Sequence, residues 1–369
     1  MVLIGEWNWS YISENISISE VYNHPDEPWD RGVLSTNKGI TIDMIYNLVL
    51  PHATGEWNWY FISYYIPISE VYKYPDETWD RIGLSMNKGI TIDLIYNLVL
   101  PNATGRWNWS RISEYIEISE VYKYPDETWD RRELSRNKGM SIDLIRRLVL
   151  PNATNGWNWY YISMNIPISD VYRRRYETWD REGLSRNKDI TIDLIHNLIL
   201  PRAIDDWDWD SISKTIAISE VYKHTDETWD KYGLSQNKDI TIDLIHNLSL
   251  PHATGRWDWT SISKTIAISE VYKYTDETWD RKGLSQNKGI TIDLIHNLVL
   301  PNATGDWNWY LISKNAPIID VYRYPDETWY RQALSLNKGI TIDDIYRLDK
   351  RMRCDYRQYI TPLSDIIII

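Results

Sequence analysis

The sequence contains very little cysteine, phenylalanine or glycine. Cys354 is its only cysteine, so neither an intrachain disulfide nor a cysteine-based zinc cluster can form. Phe61 is the only phenylalanine among 369 residues. Neither a run of about 18 apolar residues nor an N-terminal apolar segment with a cleavage site occurs, and we therefore predict a protein that is neither membrane-spanning nor secreted.

Basic residues are fewer than acidic residues, 40 against 52. The formal net charge is −12 and the isoelectric point is near 5.1. A strongly acidic chain is repelled by polyanions, which argues against general binding to nucleic acid or to an anionic membrane.

Tryptophan is abundant and follows a period of fifty residues. All 21 tryptophans occupy three positions of a repeat that occurs seven times without an insertion. A Trp-Asn/Asp-Trp motif opens each repeat, at Trp7, Trp57, Trp107, Trp157, Trp207, Trp257 and Trp307, and a third tryptophan follows 22 residues later. Such regularity is typical of an array in which each repeat packs on its neighbours. We predict that the tryptophans form the structural core, the first nine being Trp7, Trp9, Trp29, Trp57, Trp59, Trp79, Trp107, Trp109 and Trp129.

Repeat 2, which begins at Trp57, shows the spacing of short helices. Trp59, Ile62 and Ile66 lie three and four residues apart, on one helical face. Ser69 is predicted to cap a second helix and Thr91 a fourth one, which would contain Leu94, Ile95, Leu98 and Val99. Gly89 is expected to adopt the left-handed conformation that ends the third helix.

We therefore predict an all-α protein, an α-solenoid of seven repeats with about fourteen short helix pairs. The alternatives are a seven-bladed β-propeller, suggested by seven tryptophan-containing repeats, and a solenoid that contains strands. The 16 glycines are few for the hairpin turns that a propeller needs.

The predicted array spans residues 1–348, and residues 349–369 form a C-terminal tail or cap that ends in four isoleucines. No polar capping helix precedes the first repeat, so the N-terminal end is expected either to stack on another molecule or to be covered by Val2, Leu3 and Ile4 as the remnant of a helix. The isoleucine tail is expected either to cover the last repeat or to anchor a partner.

We predict no catalytic, metal or cofactor site, and hence no enzyme. His196, His246 and His296 recur at the repeat period, but Tyr46, Tyr96, Arg146 and Tyr346 occupy the same position in other repeats. The recurring aspartates are better explained as charges near helix N-termini than as calcium ligands.

Two positions vary widely between the repeats and would form rows along the array. One is the pair of residues after the second tryptophan, for example Tyr60 and Phe61, and the other is the position of Met86 and Arg136. They are predicted to form either an extended binding face or merely a variable exposed surface.

Repeats 3 and 4 carry an unusual number of arginines. The candidate partner-binding residues are Arg131, Arg132, Arg136, Arg146, Arg147, Arg173, Arg174, Arg175 and Arg186. An acidic partner or a nucleic-acid strand would fit such a cluster, although neighbouring acidic residues offset its charge. Solvated surface is the alternative explanation.

The motif Trp-Asn/Asp-Trp-x-x-Ile-Ser, followed by Trp-Asp-Arg-x-x-Leu-Ser-x-Asn, resembles the Trp-rich short repeats in proteins of giant nucleocytoplasmic DNA viruses. The resemblance covers residues 7 to about 348. That family often has Asn-Pro where this chain has Asn87-Lys88, and a second tryptophan where it has Arg81. The resemblance implies a viral scaffold in the host-cell cytoplasm or in the virion.

We therefore predict a repeat scaffold that mediates protein-protein interaction. The alternatives are a virion structural component, through end-to-end self-association or docking on a capsid, and a protein that binds single-stranded nucleic acid, which the net charge disfavours.

Overall fold

The computed structural model describes the backbone of residues 2–359 and the side chains of residues 3–350. The described residues form two compact bodies. We call residues 2–57 with 275–359 the terminal body, and residues 58–274 the central body.

The described residues contain 28 helices and two strands of three residues. In chain order they are β1 Val2–Ile4, α1 Trp9–Asn15, α2 Ile18–Asn23, α3 Arg31–Leu34, α4 Ile42–Asn47, α5 Trp59–Tyr65, α6 Ile68–Lys73, α7 Arg81–Ser85, α8 Ile92–Asn97, α9 Trp109–Tyr115, α10 Ile118–Lys123, α11 Arg131–Leu134, α12 Ile142–Arg147, α13 Trp159–Asn165, α14 Ile168–Arg173, α15 Arg181–Ser185, α16 Ile192–Asn197, α17 Trp209–Thr215, α18 Ile218–Lys223, α19 Lys231–Ser235, α20 Ile242–Asn247, α21 Trp259–Thr265, α22 Ile268–Lys273, α23 Arg281–Leu284, α24 Ile292–Asn297, α25 Trp309–Asn315, α26 Ile318–Arg323, β2 Thr328–Tyr330, α27 Arg331–Leu334 and α28 Ile342–Tyr359. Each repeat supplies two helix pairs, and the predicted all-α solenoid class is confirmed.

The middle residue of each Trp-Asn/Asp-Trp motif begins the first helix of its repeat. In repeat 2 the side-chain oxygen of Asn58 accepts hydrogen bonds from the backbone N–H groups of Tyr60 and Phe61. Asp80 caps α7 by accepting from Gly83, and Thr91 caps α8 by accepting from Leu94. Short polar side chains at these positions therefore fix where the helices start.

The third tryptophan of each repeat lies at the centre of the core. Trp79 is fully buried, and its indole meets that of Trp59 edge to face with ring centroids 5.4 Å apart. Of the nine tryptophans predicted as core, Trp29, Trp79 and Trp129 are fully buried, while the two tryptophans of each opening motif are only half-buried.

Buried hydroxyl and amide groups connect the helix pairs. The backbone N–H of Asp80 donates to the hydroxyl of Ser63 at 2.8 Å, and the Asn87 side chain donates to the carbonyls of Ser63 and Ile66. The hydroxyl of Ser85 accepts from the backbone N–H of Asn108 in the next repeat, at 2.9 Å. These bonds satisfy buried backbone groups that the short helices leave unpaired.

Three local predictions are wrong. Ser69 lies inside α6 and is not its cap, since Pro67 occupies that position without a side-chain hydrogen bond. Val99 lies beyond the end of α8 and is exposed. Gly89 does not have a positive φ; its hydrogen lies against Ile68, where a Cβ would be 2.6 Å from Cγ1 of that residue.

The beginning of the chain packs against repeat 7 inside the terminal body. Strand β1 pairs in parallel with β2, with Val2 opposite Thr328 and Ile4 opposite Tyr330. The predicted helical remnant at Val2, Leu3 and Ile4 is therefore wrong, because these residues are extended and complete a backbone pairing.

The predicted boundary at residue 348 falls inside α28, which runs from Ile342 to Tyr359. Asp349 accepts hydrogen bonds from the indole of Trp7 and from Arg331. The four terminal isoleucines, Ile366, Ile367, Ile368 and Ile369, lie outside the described residues, and the two expectations for them stay predictions.

Candidate protein-binding surface

Variable side chains of repeats 3 and 4 contact each other in one continuous row. Arg136 donates to the hydroxyl of Tyr161 at 2.6 Å, and its guanidinium carbon lies 4.2 Å from the centroid of that ring. Tyr161 meets Tyr160 edge to face at 5.2 Å, and Tyr160 in turn accepts a hydrogen bond from Arg186. We call Arg136, Tyr161, Tyr160 and Arg186 the arginine–tyrosine row.

The row is positioned by rigid parts of the repeat. Tyr160 and Tyr161 lie in the first turn of α13, which Asn158 caps, while Arg136 and Arg186 follow the short helices α11 and α15. Arg136 and Arg186 occupy equivalent positions of repeats 3 and 4, and Tyr161 and Tyr160 stand between them. The tyrosines are half-buried and Arg186 is exposed, so part of the row is accessible to solvent.

Carboxylates hold the two guanidinium groups in place. Arg136 pairs with Glu133 at 3.2 Å, and Arg186 pairs with Glu182 at 3.2 Å and with Asp208 at 3.7 Å. Burial raises the pKa of Asp208, but hydrogen bonds from Ser211 and the charge of Arg186 outweigh it, so the pKa lies below its ordinary value. Both arginine side chains nevertheless stay partly accessible to solvent.

The same helix position is also aromatic in repeat 2. Tyr60 and Phe61 meet at 5.1 Å, and the hydroxyl of Tyr60 contacts the sulfur of Met86 at 3.2 Å. Tyr64 contacts Tyr115 of the next repeat at 6.5 Å. Variable positions of consecutive repeats thus meet here as well.

The other predicted arginines divide into three kinds. Arg131 is structural, because its guanidinium donates to the carbonyls of Leu150, Ala153 and Asn155 and so holds the following turn. A second network lies around Asp143, which pairs with Arg174 at 2.9 Å and with Arg147 at 3.5 Å, and Arg146 pairs with Glu177. Exposed side chains remain at Arg132, Arg173 and Arg175, the last of which lies over the ring of Tyr176. The structure therefore does not bring the nine arginines together into one patch.

The recurring histidines link one repeat to the next. His196 contacts Glu227 at 2.6 Å and His296 contacts Glu327 at 2.5 Å, each 31 residues further along. Tyr96 takes the same place in repeat 2, and its hydrogen bond to Glu127 is the main cause that raises the pKa of Tyr96 to about 12. Sequence reasoning missed these pairs, although the constant glutamate at that distance could have indicated them.

A small cavity in the central body was also missed. Its volume is about 340 Å³ and it is lined by Arg132, Gly156, Trp157, Trp159, Tyr160 and Ile204, with the buried Asp180 at its side. Because Tyr160 lines the cavity, the cavity adjoins the arginine–tyrosine row.

Among the side chains of residues 3–350, no three histidines, cysteines, aspartates or glutamates group together as metal ligands would. Among the described helices, none combines the length and the apolar composition needed to cross a membrane.

Neither a protein-family model, nor a curated protein, nor a solved structure matches this chain.

Proposed function

We propose that this chain is a non-enzymatic scaffold that binds another protein along the arginine–tyrosine row. The observation that carries the proposal is that Arg136, Tyr161, Tyr160 and Arg186 come from positions that vary between repeats, yet contact each other across the repeats. Tyrosine and arginine are enriched at the centres of protein interfaces, where they contribute most of the binding energy.

The frame around the row supports this assignment. Asn158, Ser163 and Trp179, which hold α13 and α15, have equivalents in every repeat and serve the core. A repeat protein commonly keeps its framework constant while its surface positions diverge to fit a partner. The row is therefore where recognition of one particular partner can be encoded.

The test compares variants that carry residues the repeat already uses. The double variant combines Arg136→Gln in repeat 3 with Tyr161→Ser in repeat 4. Both new residues already occur at the equivalent positions of this chain, as Gln236 and Ser211, so we expect folding to be preserved. Affinity-tagged wild type and variant are expressed in the same cells, and retained proteins are quantified by mass spectrometry. A partner should be lost from the variant, and its purified form should bind the variant at least tenfold more weakly, equivalent to about 1.4 kcal/mol.

The matched control is Arg146→His, which alters the second network and introduces the residue of position 196. It should retain the same partner as wild type. An identical set of retained proteins for all three baits would contradict a role for the row.

The resemblance to giant-virus repeats supports a viral setting for this proposal, in the host-cell cytoplasm or in the virion. A minor capsid-associated component is the second candidate on the same ground. Mass spectrometry of purified particles separates the two: a high copy number in the particle favours the structural component, and absence from the particle favours the free scaffold.

A further inference from the structure

The cavity beside the row is assembled from departures from the repeat. The residue just before repeat 4 is Gly156, whereas the residues that precede the other repeats are charged, namely Glu6, Glu56, Arg106, Asp206, Arg256 and Asp306. A Cβ built on Gly156 would have no atom within 4 Å, so the missing side chain leaves this end of the cavity open. Most repeats have a glycine at the preceding position. Here that position is Asn155, which also adopts the left-handed conformation.

Two further departures shape the same space. Ile204 stands where five of the other repeats have threonine, which makes the far wall of the cavity apolar. Arg132 occupies a position that is otherwise Gly32, Ile82, Glu182, Tyr232, Lys282 or Gln332, and its exposed side chain forms no ion pair with a described residue. Two departures from the repeat, Gly156 and Ile204, and one residue at a variable position, Arg132, therefore meet at one place in the fold.

The size and walls of the cavity limit what it can hold. A volume of about 340 Å³ lies at the lower end of the range for ligand sites, roughly 300–1,000 Å³, and the cavity is shallow and widely open to solvent. The indoles of Trp157 and Trp159 offer apolar and aromatic contacts. One large side chain can be accommodated in this space, as an anchor residue is at the centre of a protein interface.

The charged residues at the rim determine which residue of a bound segment can lie next to the side chain that enters the cavity. Arg132 lies at the cavity, and Arg186 reaches its edge through the hydrogen bond to Tyr160. The carboxylate of Asp180 is engaged in capping α15 through the backbone N–H of Gly183 at 2.6 Å. Arg186 is already paired with Glu182 and Asp208, so Arg132 is the charge at the rim that no described carboxylate pairs, and an acidic group is its complement.

We propose that the cavity binds one large apolar side chain of an acidic segment of the partner protein, with a carboxylate next to that side chain pairing with Arg132. The inference rests on the proposed scaffold function and names the chemistry of the partner. It assigns to repeat 4 the position where the interaction is anchored.

Peptide display on the immobilised full chain tests the proposal, with Gly156→Arg as the counter-selected bait. This substitution restores a residue that the repeat carries at Arg106 and Arg256, and Gly156 has no positive φ, so folding is maintained. Peptides enriched on wild type should share a large aliphatic or aromatic residue adjacent to Asp or Glu. Measured by fluorescence anisotropy, a selected peptide should bind Gly156→Arg at least tenfold more weakly and Ile204→Thr several-fold more weakly.

Arg132→Glu should reverse the preference for an acidic residue in the peptide. The variant should bind the same peptide more tightly once its acidic residue is replaced by lysine. The matched control is Asp306→Arg, which introduces the same side chain at the equivalent position just before repeat 7 and should leave the affinity unchanged. Thermal unfolding of each variant checks that it is folded.

The proposal fails if no sequence is enriched over the Gly156→Arg bait, if the selected peptides are basic, or if they bind Gly156→Arg as tightly as wild type. It also fails if a single-stranded oligothymidine binds wild type and loses its binding in Gly156→Arg, which would indicate a nucleic-acid site. If a cellular partner is lost with Tyr161→Ser but retained by Gly156→Arg, the scaffold function stands and the cavity is not its anchor. If no partner depends on the row, the scaffold function fails independently of the peptide result.

Discussion

At the scale of single residues, the turn before each Trp-Asn/Asp-Trp motif requires a left-handed conformation. Gly5, Gly55, Gly105, Gly255 and Gly305 have φ values from 68° to 80°. Asn155 and Asp205 occupy the same position with φ of 56° and 58°. Side chains other than glycine are strained in this region, although Asn and Asp tolerate it better than most.

Asp205 adds an electrostatic cost to this strain. Burial raises the pKa of Asp180, and the nearby carboxylates of Asp205 and Glu182 raise it further. An acid whose pKa is higher in the folded than in the unfolded state opposes folding once it is ionised. Its unfavourable contribution is absent below the unfolded pKa, near 3.8, and is complete above the folded pKa.

Asp205→Gly should therefore stabilise the chain, and more so at neutral than at acidic pH. Relief of the left-handed strain contributes about 1 kcal/mol at any pH. Loss of the Asp205 charge lowers the pKa of Asp180 and adds a gain that appears as the pH rises above about 4. Urea unfolding followed by tryptophan fluorescence at pH 3 and pH 7 measures both parts.

Gly105→Asp makes the reverse change at the equivalent position before repeat 3. It should destabilise the chain with the same pH dependence. A gain from Asp205→Gly that is equal at the two pH values would show that Asp205 does not act on Asp180.

At the scale of the elements, most helix starts are determined by caps that recur from repeat to repeat; the exceptions are α27, which follows Tyr330 without a side-chain cap, and the second helix of most repeats. Ser17 caps α2, but Pro67, Glu117 and Ala217 begin the equivalent helices without a side-chain hydrogen bond. The serine two positions later, such as Ser69, attracted the prediction because its residue type suits a cap.

Thr91→Ala should destabilise the chain by about 1 kcal/mol, because the backbone N–H of Leu94 loses its acceptor at the start of α8. The matched variant Ser69→Ala should change stability by less than about 0.5 kcal/mol, since Ser69 is exposed and inside α6. Thermal unfolding ranks the two, and hydrogen exchange should accelerate in residues 92–97 for Thr91→Ala alone. An equal loss for both variants would contradict the observed start of α6.

The sequence was sufficient for the helices whose apolar period is three to four residues, and for the burial of Trp79 and Leu94. It failed at the end of α8, where the period changes. Val99 is 77% exposed while the next residue, Leu100, is 5% exposed, because the backbone from Leu98 onward is extended and its side chains alternate. Three adjacent apolar residues do not reveal this change by themselves.

The row and the cavity were predictable only in part. Variation between repeats indicated the positions of Arg136, Tyr161 and Tyr160, but not that they touch. Gly156 and Ile204 carry no chemistry of their own, so they were not singled out. Their effect depends on Trp157 and Arg132 lying beside them, which only the fold establishes.

At the scale of the whole chain, residues far apart in sequence repeat a contact found between neighbours. Asn8 donates to Ser335 at 3.0 Å as Asn108 donates to Ser85 at 2.9 Å. Arg331 donates to the carbonyl of Gly5 as Arg81 donates to that of Gly105. Within the terminal body, Gly5 and Asn8 thus contact repeat 7 in the way that Gly105 and Asn108 contact repeat 2. No local pattern predicts such a contact, because its partners are 327 residues apart.

Leu3 is the side chain that fixes this contact. It is 7% exposed and packs in a core cluster with Ile312, Trp329 and Leu334, whereas the adjacent Ile4 is 40% exposed. Leu3→Ala should cost about 2–4 kcal/mol through the cavity that it leaves, and Ile4→Ala should cost much less. Strands β1 and β2 are held together only by non-covalent contacts. The loss of stability should therefore appear locally, as faster hydrogen exchange in residues 328–335, measured by mass spectrometry. Exchange in residues 328–335 that is the same in Leu3→Ala, Ile4→Ala and wild type would show that the start of the chain does not hold repeat 7 in solution.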